Sequence, residues 1–421
     1  MTLLGRWLVA LALSQAGEPP AGPVHQLFER YKEQVVQVRV LERSSGTKAA
    51  IGSGFYAGAG GEILTNYHVV SSLVIHPERY TAELVAAGGA NFPGEIVAVD
   101  VVHDLAVLKA KGAAPAAPFQ LASELPPQGA RLFSFGNPHD LGNAIVEGTF
   151  NGTVRDTLYD RLHFTGAINS GMSGGPSIEE DGQVAGINVA TSGNGVGFLV
   201  PVRFAQELLG AAAHPPGGGA PLLDQVRSQL MDNQQRIAAQ LLSTPLPAQE
   251  LDGHRVPGRW AEWLRCWADS EREESTPYVF THYSCTMEES VFVSQSQRTG
   301  LVRYGHYALR SDELNAFQFS ALSGHTFAQI PDWLRPEAGE SDATNFECQT
   351  SDTRLQGTPF RVAFCLRAYR KLNGLYDAVV SAASLQEPRS ALQTNLTLSG
   401  FTYDNAVALT RRYLEAFAWK P

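Results

Sequence analysis

The sequence predicts a mainly β chain that builds barrels or a sandwich in its first half and a separate α+β unit in its second. Three observations carry this. From Val36 to about Pro201 the text is short apolar runs broken by Gly, Asn and Pro, with no helical pattern between them. Residues 214–221 then read His-Pro-Pro-Gly-Gly-Gly-Ala-Pro, a linker by composition. Beyond the linker the composition changes, because all four cysteines and most of the tryptophans lie there. A chain of 421 residues is long enough for two or three compact cores.

The elements follow in order. Arg6 precedes the apolar run 7–13 and the small residues Ser14 and Ala16, which reads as a secretory signal peptide over 1–16, with an uncleaved interfacial anchor as the alternative. The run is too short to span about 30 Å of hydrocarbon, and no other stretch is apolar enough to do so. Export to the periplasm or the medium is therefore expected. Val24, Leu27, Phe28, Tyr31 and Val35 recur at helical spacing, and alternation from Val36 to Val40 then reads as a first strand. Apolar runs at 63–64, 96–99, 105–108, 132–135, 184–187 and 198–200 supply further strands. Val202–Ala213 is predicted helical. Leu222, Val226, Leu230, Ile237 and Leu241 mark an amphipathic helix over 222–245, packed on a domain rather than forming a free coiled coil. Residues 250–421 form the second unit, closing in a helix from Asp404 to Trp419.

Export places Cys266, Cys285, Cys348 and Cys365 in an oxidising compartment, where two disulfides are the simplest reading. Three pairings are open, and the sequential one, 266–285 with 348–365, is the working choice. Zinc is the alternative, although no two cysteines sit two to four residues apart. A net charge of −10 argues against a general nucleic-acid binder. Trp260, Trp263, Trp267, Tyr278, Phe280 and Tyr283 are expected to pack around Cys266 and Cys285, with a peptide or glycan groove as the alternative.

Three segments carry chemistry. His68 follows the apolar run 63–64 and the Thr65-Asn66 turn, a position suited to a general base at a strand end. Asp104 precedes the apolar run 105–108, where a half-buried carboxylate can hold Nδ1 of an imidazole and fix its tautomer. Ser173 stands inside Gly171-Met172-Ser173-Gly174-Gly175-Pro176, whose glycines permit a tight turn. That turn leaves backbone N–H groups of Gly171, Met172 and Ser173 to shape an oxyanion site. The order His…Asp…Ser is that of chymotrypsin, and differs from the orders in subtilisin and the α/β-hydrolases. An acyl-enzyme protease of this kind needs neither cofactor nor metal.

Residues 24 to about 205 resemble the protease domain of the HtrA (DegP-type) serine proteases. The resemblance rests on GSGFYAGAGGEILTNYHVV at 52–70, HDLAVLK at 103–109, FGNPHDLGNAIVEGTFNG at 135–152, AINSGMSGGP at 167–176, GQVAGIN at 182–188 and GVGFLVPV at 195–202. It implies two six-stranded barrels over 24–210, a linker at 211–221, and a triad of His68, Asp104 and Ser173 in the cleft between the barrels. It also implies polypeptide substrates, unfolded proteins among them. The sequence departs from the family in two places. Met172 stands where Asn or Asp is usual, and no PDZ pattern follows residue 220. The C-terminal unit could instead serve a protein partner.

Ala167, six residues before the nucleophile, marks the base of the primary specificity pocket in such folds. With no acid there, a small or medium apolar side chain is the expected choice over Lys or Arg. Asn188, Val189 and Ala190 are expected to pair with the substrate as an added strand, with a barrel-core role as the alternative. A catalytically silent binding protein on the same scaffold is the rival reading.

Overall fold

The computed structural model describes residues 22–112, 117–191, 195–213, 221–271, 276–327, 335–336, 338–339, 341–355, 357–385 and 388–419. The predicted signal peptide and most of the predicted linker lie outside them. Helix α1 (Pro23–Tyr31) opens the described chain.

Six antiparallel strands close the first barrel: β1 (Val35–Glu42), β2 (Lys48–Tyr56), β3 (Glu62–Thr65), β4 (Tyr80–Ala86), β5 (Asn91–Asp100) and β6 (Leu105–Ala110), in the order β1-β2-β3-β6-β5-β4. The alternation read from Val36 to Val40 sets its wall, since Val36, Val38 and Val40 are all fully buried. Helix α2 (Tyr67–Ile75) leaves the end of β3. The second barrel takes β7 (Arg131–Gly136), β8 (Ala144–Thr153), β9 (Leu162–Thr165), β10 (Pro176–Ile178), β11 (Val184–Thr191) and β12 (Gly197–Pro201) in the order β10-β11-β12-β9-β8-β7. Between the barrels runs an apolar seam that includes Val35, Phe55, Leu105, Phe133, Phe135 and Ile187. A chymotrypsin-like double barrel is thus the fold of the first half.

Helix α3 (Val202–Ala213) runs three residues into the predicted linker. Helix α4 (Leu222–Ser243) buries Val226, Leu230, Ile237 and Leu241, the stripe read from the sequence. It lies on a domain, as expected. The Gln229 side chain donates to Val99 O and accepts from Val101 N, each at 2.8 Å, tying the helix to the first barrel.

The rest of the chain is sheet-rich. Seven antiparallel strands stand in the order Arg265–Glu271, Val279–Thr286, Leu301–Arg310, Ser390–Phe401, Tyr376–Ser384, Thr358–Ala368, Glu347–Leu355. Helix α5 (Ala316–Phe327) and helix α6 (Tyr403–Glu415) complete the unit. Cys266–Cys285 and Cys348–Cys365 are the two disulfides. Each joins directly opposed residues, so each staples one edge strand to its neighbour. Two expectations need correction. The last helix ends at Glu415 rather than Trp419, because Phe417 turns into the core and residues 418–419 pair with His254 and Arg255 as a short strand. Trp267 is 64% exposed, on the outward face of an edge strand, while Trp260, Trp263 and Tyr283 are buried as expected.

His306 makes the C-terminal unit sensitive to acid. It is fully buried, with Nε2 2.9 Å from Pro257 O and Nδ1 2.9 Å from Thr394 Oγ1. The carbonyl can only accept, so Nε2 carries the proton and Nδ1 accepts from the hydroxyl. Burial holds the imidazole neutral and pushes its pKa from 6.5 down to about 3. Below pH 6.5 the unfolded chain therefore binds a proton that the folded chain refuses, and stability falls with pH until about pH 3. The slope from this one site approaches about 1.4 kcal/mol per pH unit. Urea unfolding at pH 7 and pH 5 should show that loss, and His306→Gln should flatten it; an unchanged slope would exclude the histidine as its source.

Candidate active site

His68 and Asp104 are brought together by strand register. Thr65 of β3 pairs with Ala106 of β6, which sets Asp104 opposite the first turn of α2. Asp104 sits at φ 63°, in the left-handed region that Asp and Asn tolerate better than most residues. Asn66 Nδ2 donates to its carbonyl at 2.8 Å and holds it there. One carboxylate oxygen accepts the His68 backbone N–H at 2.8 Å, and the other lies 2.7 Å from His68 Nδ1. Asn66, the N-cap residue of α2, makes no side-chain cap. Asp104 therefore does two jobs: it caps α2 from across the barrel, where the helix dipole favours an anion, and it orients the imidazole. Its side chain is 3% exposed and that of His68 19%. With Nδ1 committed as a donor to the carboxylate, Nε2 is left to accept.

The Ser173 loop is pinned from the first barrel by Ser53 of β2. Ser53 N donates to Ser173 O at 2.8 Å, Ser53 Oγ donates to Gly171 O at 2.7 Å, and Asn137 N donates to Ser53 Oγ at 2.9 Å. Gly52 lies against both Val69 and Ser173 O, so the serine loop and the start of α2 share one wall. Gly171 and Gly174 have φ of +93° and +86°, which a side chain would strain. His139 N donates to Ser170 O at 2.9 Å. That bond turns the carbonyl of the 170–171 peptide toward the 137–142 turn and its N–H the other way. Among the described residues, neither the Gly171 nor the Ser173 amide donates a hydrogen bond. Two unspent donors therefore flank the hydroxyl.

The 137–142 turn behind this loop is held by charge. Gln37, Arg39 and Lys48 of the first barrel all reach Asp140. Lys48 first and Gln37 second hold its carboxyl down to about 2.

Two expectations about the site change. Met172 N donates to Asn169 O at 3.0 Å, so its amide is spent and cannot serve an oxyanion. Its side chain is fully buried in the second barrel with Leu132, Phe164 and Leu199, which explains an apolar residue at this position. Asn188 is fully buried as well, so it does not face a substrate. Its Nδ2 donates to Phe135 O at 2.9 Å and Met172 O at 3.3 Å, and its Oδ1 accepts from Ser134 and Ser177. Beside it, at Val189, β11 bulges against β12. Ser173 Oγ donates to Val189 O at 3.4 Å and makes no hydrogen bond to His68 Nε2. Ala167 is exposed. Ala190 continues β11, and its side chain is not among those described.

Sequence reasoning missed several neighbours. Ser53 acts through hydrogen bonds that link the two barrels, and nothing in its local pattern marks it; Asn66 reads only as part of a turn, with no local mark of its hold on Asp104 O. Arg161 is buried in the field of Asp104 and Glu289, and burial pulls its pKa down. Phe292, from the C-terminal unit, stacks on the His68 ring at 4.8 Å between centroids.

Residues 52–187 match the family model of the trypsin-like peptidase domain. Among curated proteins, the chain is 30% identical over 225 residues to mitochondrial serine protease HTRA2 of Bos taurus, covering 49% of this chain and 48% of that one. It is 30% identical over 208 residues to the putative serine protease HhoB of Synechocystis, covering 47% of each. The chain thus spans about half the length of these curated relatives. The solved serine endoprotease of Yersinia pestis superposes with a TM-score of 0.40 at 28% identity, over 47% of this chain and 69% of its own.

Proposed function

We propose that this chain, which carries an HtrA-type trypsin-like serine protease domain, is an exported endopeptidase that cleaves polypeptides through an acyl-enzyme on Ser173. The observation that carries the reading is the double hold of Asp104 on His68, set beside a serine flanked by two unspent amides. In the reaction, Ser173 Oγ attacks the scissile carbonyl carbon as His68 Nε2 takes its proton. Asp104 stabilises the imidazolium and keeps its own charge. The Gly171 and Ser173 amides receive the developing oxyanion, each donor being worth about 10²–10³ in rate. His68 then protonates the leaving amine, and the acyl group remains on Oγ. Water repeats the sequence: its proton goes to His68 and its oxygen to the acyl carbon, then the acyl–Oγ bond breaks and His68 returns the proton to Ser173 Oγ, releasing the carboxylic acid.

Ala167 supports a pocket for small or medium apolar side chains. Val189 and Ala190 support backbone pairing with the peptide, and Asn188 acts behind them by holding Met172 O and Phe135 O. The apolar run 7–13 after Arg6, together with two disulfides, supports export. No helix among the described residues is long and apolar enough to cross a membrane.

One observation favours the second reading, a binding protein with a silent site: Ser173 Oγ donates to Val189 O and not to His68. The purified full-length chain is expected to digest unfolded casein and to lose that activity on treatment with a fluorophosphonate. A protein inert to both reagents would favour the silent scaffold.

A further inference from the structure

The C-terminal unit reaches the candidate site through one hairpin, in which Val291–Phe292 pairs with Arg298–Thr299. Val291 and Val293 are buried in a core that the C-terminal unit shares with the first barrel and α2. The two-residue period of a strand turns Phe292 to the opposite face of the hairpin. There its ring stacks on the His68 imidazole, with 4.8 Å between centroids and 30° between planes. The Arg298 guanidinium lies over the same phenyl ring at 3.5 Å. Tyr67 OH, from the residue before His68, donates to Val293 O at 3.0 Å.

The hairpin is tied at both ends. Ser294 and Ser296 donate to Asp342 Oδ2 at 3.1 and 2.7 Å near its tip. At its base, Tyr369 Oη bridges Thr299 Oγ1 at 3.1 Å and buried Asp377 at 2.6 Å. A segment anchored this densely belongs to the fixed wall of a site and lacks the sparse contacts of a mobile lid. His68 keeps 19% of its side chain exposed, so the hairpin narrows the approach without sealing it.

We propose that Phe292 is a specificity-determining wall of the substrate cleft, supplied by the C-terminal unit. It packs against the side chain of the substrate residue adjoining the one that bears the scissile carbonyl. An apolar side chain is favoured there by the ring, and Lys or Arg is disfavoured by the neighbouring Arg298 charge. This inference rests on the endopeptidase reading above.

The test uses the full-length chain and peptides varied at the two positions flanking the residue with the scissile carbonyl. Wild type, Phe292→Ala and Phe292→Leu are compared, and the fluorophosphonate labelling rate is measured for each. Wild type should prefer apolar over basic residues at one flanking position by about tenfold in kcat/KM. Phe292→Ala should lose that preference and Phe292→Leu should keep most of it, and both variants should still label. An unchanged preference in Phe292→Ala would overturn the proposal. Faster labelling in Phe292→Ala would also overturn it and make the hairpin a lid. Loss of labelling in both variants would assign Phe292 to supporting the imidazole, again against a specificity role. A wild type that neither labels nor cleaves would remove the endopeptidase reading itself, so the two failures are distinguishable.

Discussion

Ser173→Ala is expected to lower kcat on an unfolded polypeptide by about 10⁶, with little change in KM. In the proposed reaction the Ser173 hydroxyl is the atom that becomes acylated. The fold should be unaffected, since the side chain makes only one long hydrogen bond, at 3.4 Å to Val189 O, while the loop is held through its backbone. The amides of Gly171 and Ser173 remain in the variant, so residual turnover should still exceed the uncatalysed rate by about 10³–10⁴. Steady-state kinetics with a purified variant, free of wild-type contamination, check this. A variant within tenfold of wild type would show that the chemistry lies elsewhere.

Asp104→Asn is expected to lower kcat by about 10⁴ while leaving the structure in place. Asparagine tolerates the φ of 63° as aspartate does, and its Oδ1 can still accept the His68 amide that caps α2. Its Nδ2 would then face His68 Nδ1 as a donor. The imidazole would answer by placing its own proton on Nε2, the wrong atom to receive the Ser173 proton. Thermal stability should fall only modestly, and KM should hold because a side chain 3% exposed does not touch substrate. The double variant with Ser173→Ala should be no slower than Ser173→Ala alone, since the three groups act as a unit. Additive losses would contradict that coupling.

Much of this site was legible in the sequence for a physical reason. The reacting groups must stand at strand ends and in a glycine turn, and such places leave local marks: Thr-Asn-Tyr-His after β3, Asp before β6, and Gly-Met-Ser-Gly-Gly-Pro before β10. Strands β1, β3, β5, β6, β7, β11 and β12 were legible through their short, Gly-broken apolar runs, whereas β2, β4, β8, β9 and β10 were not singled out. The less local features were not. Ser53 looks like any small residue in a strand, and its role comes from hydrogen bonds to Gly171 and Asn137, far along the chain. Asn188 was grouped with Val189 and Ala190 as one run, and nothing local marks that its side-chain amide is spent on Phe135 O and Met172 O. The closing helix was drawn too long because Phe417 and Trp419 continue an apolar pattern, yet the chain there leaves the helix to pair with residues 254–255. Phe292 had no signal at all. The hairpin that carries it is joined to the protease domain by a hydrogen bond between residues 226 apart in sequence, and periodicity cannot report such a contact.

The account stands most directly on where a serine-reactive probe attaches. The full-length chain should be treated with a fluorophosphonate and digested, and the adduct located by mass spectrometry, beside His68→Ala. One adduct per chain on Ser173, formed far more slowly in His68→Ala, is the predicted result. No adduct, an adduct on another residue, or equal rates in the two proteins would contradict a serine activated by that imidazole.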